Sequence, residues 1–498
     1  MAQNLPSNNS HWKSSMSLEI ADDGPLKVWM IAKEDYVSLR DAIWEIAVRA
    51  FPSSLSLYVE YLTMFTNVLF ISMLGDPLLL SATGLGTILF NIIVSSVDVG
   101  LCGGIDTLVS QAYGRKDFNL WRVYYNTAKI VMTGLFVFQA ILLLNTDYLL
   151  GLFGQPTDVR ELTQIYIYYW MPGIFMYIQF EIMRRFLFCQ GVYNPILYTM
   201  LFTWIIHIAN LYILVIVLDM KIVGAAIATT ITFTLNFVIL NIATSQNLSI
   251  VKSHRWFFAD REAYSKIMVF LEFGVPASFM SVMDWWGLDV IWIFAGWIGV
   301  KPLAASIIMF QMLALWFMNA LGITFAATSL VGNSLGANLP NMARKYANAT
   351  MLFGLICTWI MLFLYILFKD FVVGWFTDDS EVHEAFDGAF PYYIIAIFFD
   401  MTQGVSGGII RAMGYQRAAT FILLFSIWVV MDPFAYMFGF VFQLGYRGLW
   451  MGVPFGNFFM MAGYFLIIIF ADWKQLATEA SKHHLDEEIV IDASMLQH

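Results

Sequence analysis

The chain has 498 residues, of which 59% are hydrophobic and only 12% charged, with a formal net charge of −10. Soluble domains carry about 45–50% apolar and about 25% charged residues, so this composition belongs to an integral membrane protein. The acidic balance, without a basic run or aromatic–basic interleaving, argues against nucleic acid as a partner.

Residues 1–54 read as a cytoplasmic N-terminal segment. Glu19, Asp22, Asp23, Glu34 and Asp35 lie where a signal peptide would need an apolar core, so no cleavable signal is expected. Residues 28–50, with Val37, Ile43, Trp44 and Ala47, suit an amphipathic helix on the inner membrane surface, or else a set of solvated charges. Twelve apolar blocks follow, near 55–75, 84–112, 121–144, 163–187, 196–218, 222–245, 267–297, 303–331, 347–369, 388–410, 417–441 and 447–471. Each approximates the ~20 residues that a helix needs to cross a bilayer. Strand alternation is missing from them, which argues against a β-barrel. Turn chemistry separates the blocks at Gly75-Asp76-Pro77, Gly154-Gln155-Pro156, Asn194-Pro195 and Asn338-Leu339-Pro340. Pro172, Pro276, Pro391, Pro433 and Pro454 lie within or near spans, where freed backbone groups must be satisfied by protein or water.

The expected organisation is an N-terminal six-helix lobe over 55–250, a cytoplasmic linker over 251–266, a C-terminal six-helix lobe over 267–471 and a polar, mobile tail over 472–498. With the N-terminus inside, 21 of the 26 Lys and Arg fall on the cytoplasmic side and five outside, which puts both termini in the cytoplasm. The sequons at Asn8, Asn247 and Asn348 fall on or beside that same side.

The two halves resemble each other at an offset near 223. TLVSQAYG (107–114) aligns with SLVGNSLG (329–336), Gly191 with Gly414, Lys221/Gly224 with Arg447/Gly448, and Pro52 with Pro276. Six spans per half give both copies one orientation. The fold class is therefore all-α, with twelve transmembrane helices as a parallel repeat about a pseudo-two-fold along the membrane normal, and a path between the halves.

Three acids interrupt the apolar spans: Asp284, Asp289 and Asp400. A carboxylate at bilayer depth costs roughly 3 kcal/mol on insertion scales, so it marks a cavity, a cation site or a proton carrier. Asp284 and Asp289 are five residues apart, roughly 140° around a helix, so they are not expected to share one face or to chelate a metal together. Trp285 does share the Asp289 face and offers a cation–π wall beside a negative charge. The alternative is that these acids pair with buried donors and serve packing.

Four segments, in order, are similar to motifs of the multidrug and toxic compound extrusion (MATE) transporters. GIDTLVSQAYG (104–114) resembles A-x-D-T-L-x-S-Q-x-[YF]-G, and CQGVYNP (189–195) resembles Q-G-x-x-x-P. SLVGNSLGAN (329–338) resembles R-V-G-N-x-L-G-A-G, and SGGIIRAMGYQ (406–416) resembles S-G-V-L-R-G-x-G-x-Q. The resemblance spans roughly residues 50–475 and is greatest to the eukaryotic branch. That branch carries Glu-Trp-Trp where Asp284-Trp285-Trp286 stands here, with further acids at the positions of Asp289 and Asp400. The resemblance implies proton coupling and organic-cation binding for these three. It also implies a structural or gating role for Asp106, Gln111, Gly191, Asn333 and Gly336. Departures are the shorter aspartates, Leu330 in place of Arg, and Asn67 where prokaryotic members place a carboxylate.

Asn67 and Glu60, with Trp285, remain candidates to line the substrate cavity. Glu60 could be a second proton site or a residue snorkelling near a helix end. Asp106 and Gln111 read as capping or gating residues, Glu181 as an intrahelical partner of Arg184, and His207 as a hydrogen-bonded core residue. Asp432-Pro433 reads as a kink with a capped carbonyl. A carboxylate withdrawn from water is easier to protonate, and a bound cation opposes that protonation, which makes proton and cation compete.

The expected activity is therefore export of a small, cationic organic substrate in exchange for protons by alternating access. The rivals are sodium coupling, a related flippase of a lipid-linked substrate, and a receptor or scaffold without transport. With no Walker-type loop, His/Cys cluster or nucleophile elbow, no enzyme activity, metal or cofactor is expected. The chain is expected to be a monomer surrounded by lipid, in the plasma membrane or a vacuolar or vesicular membrane.

Overall fold

The computed structural model describes residues 37–244, 260–377 and 379–482. The sequons at Asn8 and Asn247, and the outer parts of both expected tails and of the linker, lie outside the described residues. Helices dominate and, among the described residues, no strand is present.

The first six long helices are α1 (Leu39–Ser72), α2 (Pro77–Gly114), α3 (Phe118–Leu144), α4 (Thr157–Cys189), α5 (Asn194–Val217) and α6 (Lys221–Thr244). The second six are α7 (Ile267–Ile298), α8 (Val300–Gly336), α9 (Pro340–Phe376), α10 (Ser380–Met413), α11 (Gln416–Val441) and α12 (Gly445–Phe470). Eleven are long and apolar enough to cross a membrane. The twelfth is α4, whose 33 residues end in Glu181, Arg184 and Arg185.

Local chemistry sets the helix ends. Asp76 caps α2 by accepting from the Leu78 N–H, with Pro77 at the first helical position. Asp117 caps α3 through Leu120, and Asp379 caps α10 through Glu381. Gly414 ends α10 in the left-handed region at φ +78°, where a side chain would be strained.

The repeat is visible in these ends. Left-handed backbone recurs at Lys116 and Asn338, Gly191 and Gly414, Asp219 and Gln443, and Lys221 and Gly445. Wide π turns also recur: Tyr212–Val217 closes α5 and Met437–Val441 closes α11. A further π turn, Asn91–Ser95, interrupts α2 midway.

Each lobe buries its own apolar core, and a third cluster joins Leu57, Val59, Phe180 and Phe188 of the first lobe to Phe325 of the second. Between lobes, α1 lies along α8, and α2 lies along α7 and α8. Both lobes contribute to this seam in matching ways, as a two-fold relation requires.

Three expectations are corrected. The amphipathic helix at 28–50 is not a separate element from residue 37 onward: residues 39–50 are the first turns of α1, and Ala42, Ile46 and Ala50 are buried against the second lobe. Residues 473–482 are not a mobile tail either. Trp473–Lys482 is a further helix, α13, packed on α8 and α9. Its Trp473, Leu476, Ala477 and Ala480 recur at helical spacing and are all buried. At Asp432-Pro433 the Asp432 side chain caps nothing among the described residues. The π turn Phe425–Met431 precedes Pro433 instead, and neither Asp432 oxygen meets a hydrogen-bond partner among the described residues.

Candidate functional site

Between the lobes, about midway along the helices, lies a cavity of ≈ 240 Å³. The first lobe supplies Ile88, Asn91, Ile92 and Ser96 from α2, at its π turn. That turn widens the helix and re-aims the side chains beside it, a distortion frequent at functional sites. The second lobe supplies Asp284, Trp285, Trp286, Asp289 and Trp292 from α7, Phe310 and Phe317 from α8, and Asp400 from α10.

All three sequence-predicted acids therefore border one cavity. Asp284 and Asp289, five residues apart and so on different faces of α7, both border it. None of the three forms a salt bridge among the described residues, and no Lys or Arg lines this cavity. Asp400 accepts from Gln403 Nε2 at 3.2 Å. Trp292 and Phe310 meet edge-to-face with ring centroids 4.3 Å apart, a stable aromatic pairing. The arrangement is an acid-lined recess with π-surfaces, a chemistry that suits a flat cation.

A second, smaller cavity of ≈ 70 Å³ shares Asp284, Trp285 and Phe317 with the first. It continues along α10 past Gln403, Gly404 and Gly407 to Arg411, and also meets Arg185 of α4. Here stands Asp106. Its Oδ2 accepts from Arg185 Nη1 at 3.0 Å and lies 3.5 Å from Arg411 Nε in the other lobe.

The other motif residues gather beyond this cluster, at the end of the bundle where α1 begins and α12 ends. Gln111 Nε2 donates to the Ala412 carbonyl at 3.0 Å, and Asn333 Nδ2 to the Cys189 carbonyl at 3.1 Å. Thr107 donates to the Arg411 carbonyl at 2.6 Å, and Arg49 to Ser329 at 3.1 Å. At Gly336 a Cβ would sit 2.0 Å from the Gln111 carbonyl oxygen, and at Gly114 one would sit 2.1 Å from that of Asn333. The two lobes are thus closed on each other at this end by bare backbone contact and cross-lobe hydrogen bonds. Gly191, left-handed at φ +74°, turns the chain between α4 and α5 beside Arg49.

Asn67 and Glu60 line neither of these two cavities. Glu60 lies in the middle of α1 rather than near its end, and it pairs with Arg184 at 2.5 Å. Arg184 also pairs with Glu181, as the three-residue spacing implies. Asn67 donates to Thr229 Oγ1 at 2.8 Å. His207 is buried and its Nδ1 lies 2.9 Å from Thr232 Oγ1. These groups are internal polar ties of the first lobe.

Residues 52–213 and again 276–437 match the family described as MatE. The chain belongs to the MatE family. The two matches begin at Pro52 and Pro276, the proline pair of the repeat. Among relatives of this MatE protein, multidrug and toxin extrusion protein 1 of Homo sapiens is 27% identical over 448 residues, covering 90% of this chain and 78% of the relative. Protein DETOXIFICATION 16 of Arabidopsis thaliana is 26% identical over 427 residues, covering 85% and 87%. The match to these animal and plant proteins sets the chain with the eukaryotic branch. In fold it is similar to the eukaryotic MATE transporter AtDTX14, with a TM-score of 0.83 at 22% identity over 89% of this chain and 99% of that one. It is also similar to the Vibrio cholerae MATE transporter VcmN in its bent form, with a TM-score of 0.77 at 17% identity over 89% and 98%.

Sequence reasoning about this MatE protein passed over Arg411, Arg185 and Asn91. Arg411 sat in view inside SGGIIRAMGYQ, and a cation within a span is as costly as an acid. Arg185 entered only as one of the 21 Lys and Arg on the cytoplasmic side. Asn91 gave no signal, because a lone amide in an apolar span is commonplace.

Proposed function

We propose that this chain is a secondary antiporter that exports organic cations or similar amphipathic compounds in exchange for protons, by alternating access between its two lobes. The observation that carries the reading is that Asp284, Asp289 and Asp400 border one inter-lobe cavity with no basic side chain among its described lining. A carboxylate held from bulk water carries either a proton or a cation, so loading one expels the other. The aromatic wall of Trp285, Trp292 and Phe317 gives affinity for a flat, lipophilic cation without fixing one substrate. The Lys and Arg bias supports both termini in the cytoplasm, of a plasma, vacuolar or vesicular membrane. The closed end of the bundle then faces the cytoplasm, and the cavity communicates with the opposite side. Asp106, Gln111, Asn333 and Gly336 act as the gate at that end, with Gly191 shaping it. The acidic lining argues against a lipid-linked anionic cargo.

The test is uptake of ethidium into proteoliposomes with an imposed pH gradient, at equal reconstitution. Asp400→Asn and Asp284→Asn are each expected to lower gradient-driven uptake about tenfold, the loss of ~1.4 kcal/mol of cation attraction. Wild-type rates in both variants would remove the coupling assignment. Uptake driven by a sodium gradient but indifferent to pH would change the ion.

A further inference from the structure

The α10 helix carries more than the cavity acid. Asp400, Gln403, Gly404, Gly407 and Arg411 follow one another at helical spacing, and all line one or both of the cavities. Side chains on a helix lean toward its N-terminus. In α10 that direction runs from Arg411 back toward Asp400 and the main cavity. Gly407, one turn away, adds no side chain to the path, where a Cβ would meet the flexible Met280 methyl at 3.4 Å and lie 4.0 Å from Arg411 Nη1. Asp284 stands on the partition that both cavities share.

Arg411 is held loosely where it is. Its Nε is buried without a hydrogen-bond partner, and its contact with Asp106 is 3.5 Å long. The same Asp106 oxygen is already bound by Arg185 at 3.0 Å. Arg185 in turn lies over the Phe325 ring, 4.1 Å from its centroid. Asp106 would thus stay paired if Arg411 left. The charged and titratable groups around Arg411 are Asp106 of α2, Arg185 of α4, Asp284 of α7 and Tyr464 of α12. Those facing Asp284 are Asp400 and Arg411 of α10, with Tyr464 of α12. Arg411 therefore has two acids within reach, one across the lobes and one within its own.

We propose that Arg411 is a shared cation that links the occupancy of Asp284 to closure of the lobes at the end bearing the termini. When Asp284 holds a proton or meets a substrate cation, Arg411 pairs with Asp106 and adds one ion pair across the seam. When Asp284 is ionised and vacant, it draws Arg411 back along α10, and that cross-lobe pair is lost. The empty carrier is thereby biased open toward the side on which the antiport reading loads cargo, and cargo itself favours closure. Arg411 acts here as a positioning residue, and the inference rests on the antiport reading for its direction.

The experiment measures the separation of the lobes. Spin labels are placed at Lys116 and Ala418, both exposed at the closed end, in full-length protein with Cys102, Cys189 and Cys357 replaced. Distance distributions are recorded in proteoliposomes with and without ethidium. Asp284→Asn is expected to raise the closed-to-open ratio roughly two- to fivefold, the size of one partly screened ion pair. In the Arg411→Gln background the same Asp284→Asn change is expected to do nothing, and Asp106→Asn, which cuts the link from the other lobe, is expected to do the same. Arg411→Lys is expected to restore part of the effect. An Asp284→Asn shift that persists in both backgrounds overturns the proposal, even where ethidium exchange is intact. Loss of exchange with the shift still dependent on Arg411 strikes instead at the antiport reading. Size-exclusion profiles confirm that each variant is folded, and the two backgrounds give independent readings should one fail to express.

Discussion

Replacing Gly336 by alanine isolates the closure between the lobes from everything else in the chain. The added Cβ would meet the Gln111 carbonyl oxygen at 2.0 Å and its carbonyl carbon at 2.7 Å. Ordinary contact begins near 3.4 Å, so α2 and α8 must retreat by about 1.4 Å at this point. Backbone meets backbone there, and no side chain can swing away. Overpacking of this kind costs about 1–3 kcal/mol. Within a helix, alanine is otherwise favoured over glycine by up to ~1 kcal/mol, and that gain applies whether the lobes are together or apart. The net penalty falls on the closed arrangement alone. It should lower the closed-to-open ratio about 5- to 150-fold, read from the spin-label pair at Lys116 and Ala418. Ethidium export should fall with it, while thermal stability of the detergent-solubilised protein should hold or rise. A ratio within twofold of wild type would refute the reasoning, because bare-backbone contact could then not be what closes this end.

Other outcomes follow from the same geometry. Arg184→Met strands Glu60 and Glu181 without their shared cation; the expected loss is about 3–5 kcal/mol, seen as a lower Tm, and an unchanged Tm would count against the triad. Leu476→Ala removes a buried anchor of α13 and should cost about 2–3 kcal/mol, measured by the midpoint of thermal unfolding. Asp432→Val exchanges a buried carboxylate lacking hydrogen-bond partners for an apolar side chain, and relief of about 1–3 kcal/mol should raise Tm with ethidium exchange intact; a lower Tm would mean that the carboxylate has a partner.

Span positions and the three acids were legible because hydrophobic thickness and the cost of buried charge act within a single segment. The breaks at Gly75-Asp76-Pro77 and Asn338-Leu339-Pro340 were equally local. What escaped detection involved partners far apart in the chain. Glu60 and Arg184 meet across 124 residues, a pairing invisible to periodicity. Asp284 and Asp289 stand on different faces of α7, and spacing alone could not show that the packing of α2, α8 and α11 around that helix leaves both at one cavity. The α13 stripe was overlooked because two of its four buried positions, Ala477 and Ala480, are alanines among charged neighbours. Arg411 was counted among the cytoplasmic positive charges and within a motif, but its cross-lobe partner Asp106 lies 305 residues away in the chain and gives no local signal.

The wide turns closing α5 and α11 have a consequence for how each lobe is joined. A π turn holds one residue more than the α-helical turn it replaces, and here the two stand at corresponding places in the repeat, each followed by the same left-handed pair at Asp219/Lys221 and Gln443/Gly445. Each half thus leaves its fifth span through the same widened turn and the same left-handed pair before its sixth span begins, so the two lobes carry one shape of connection at the same end of the bundle.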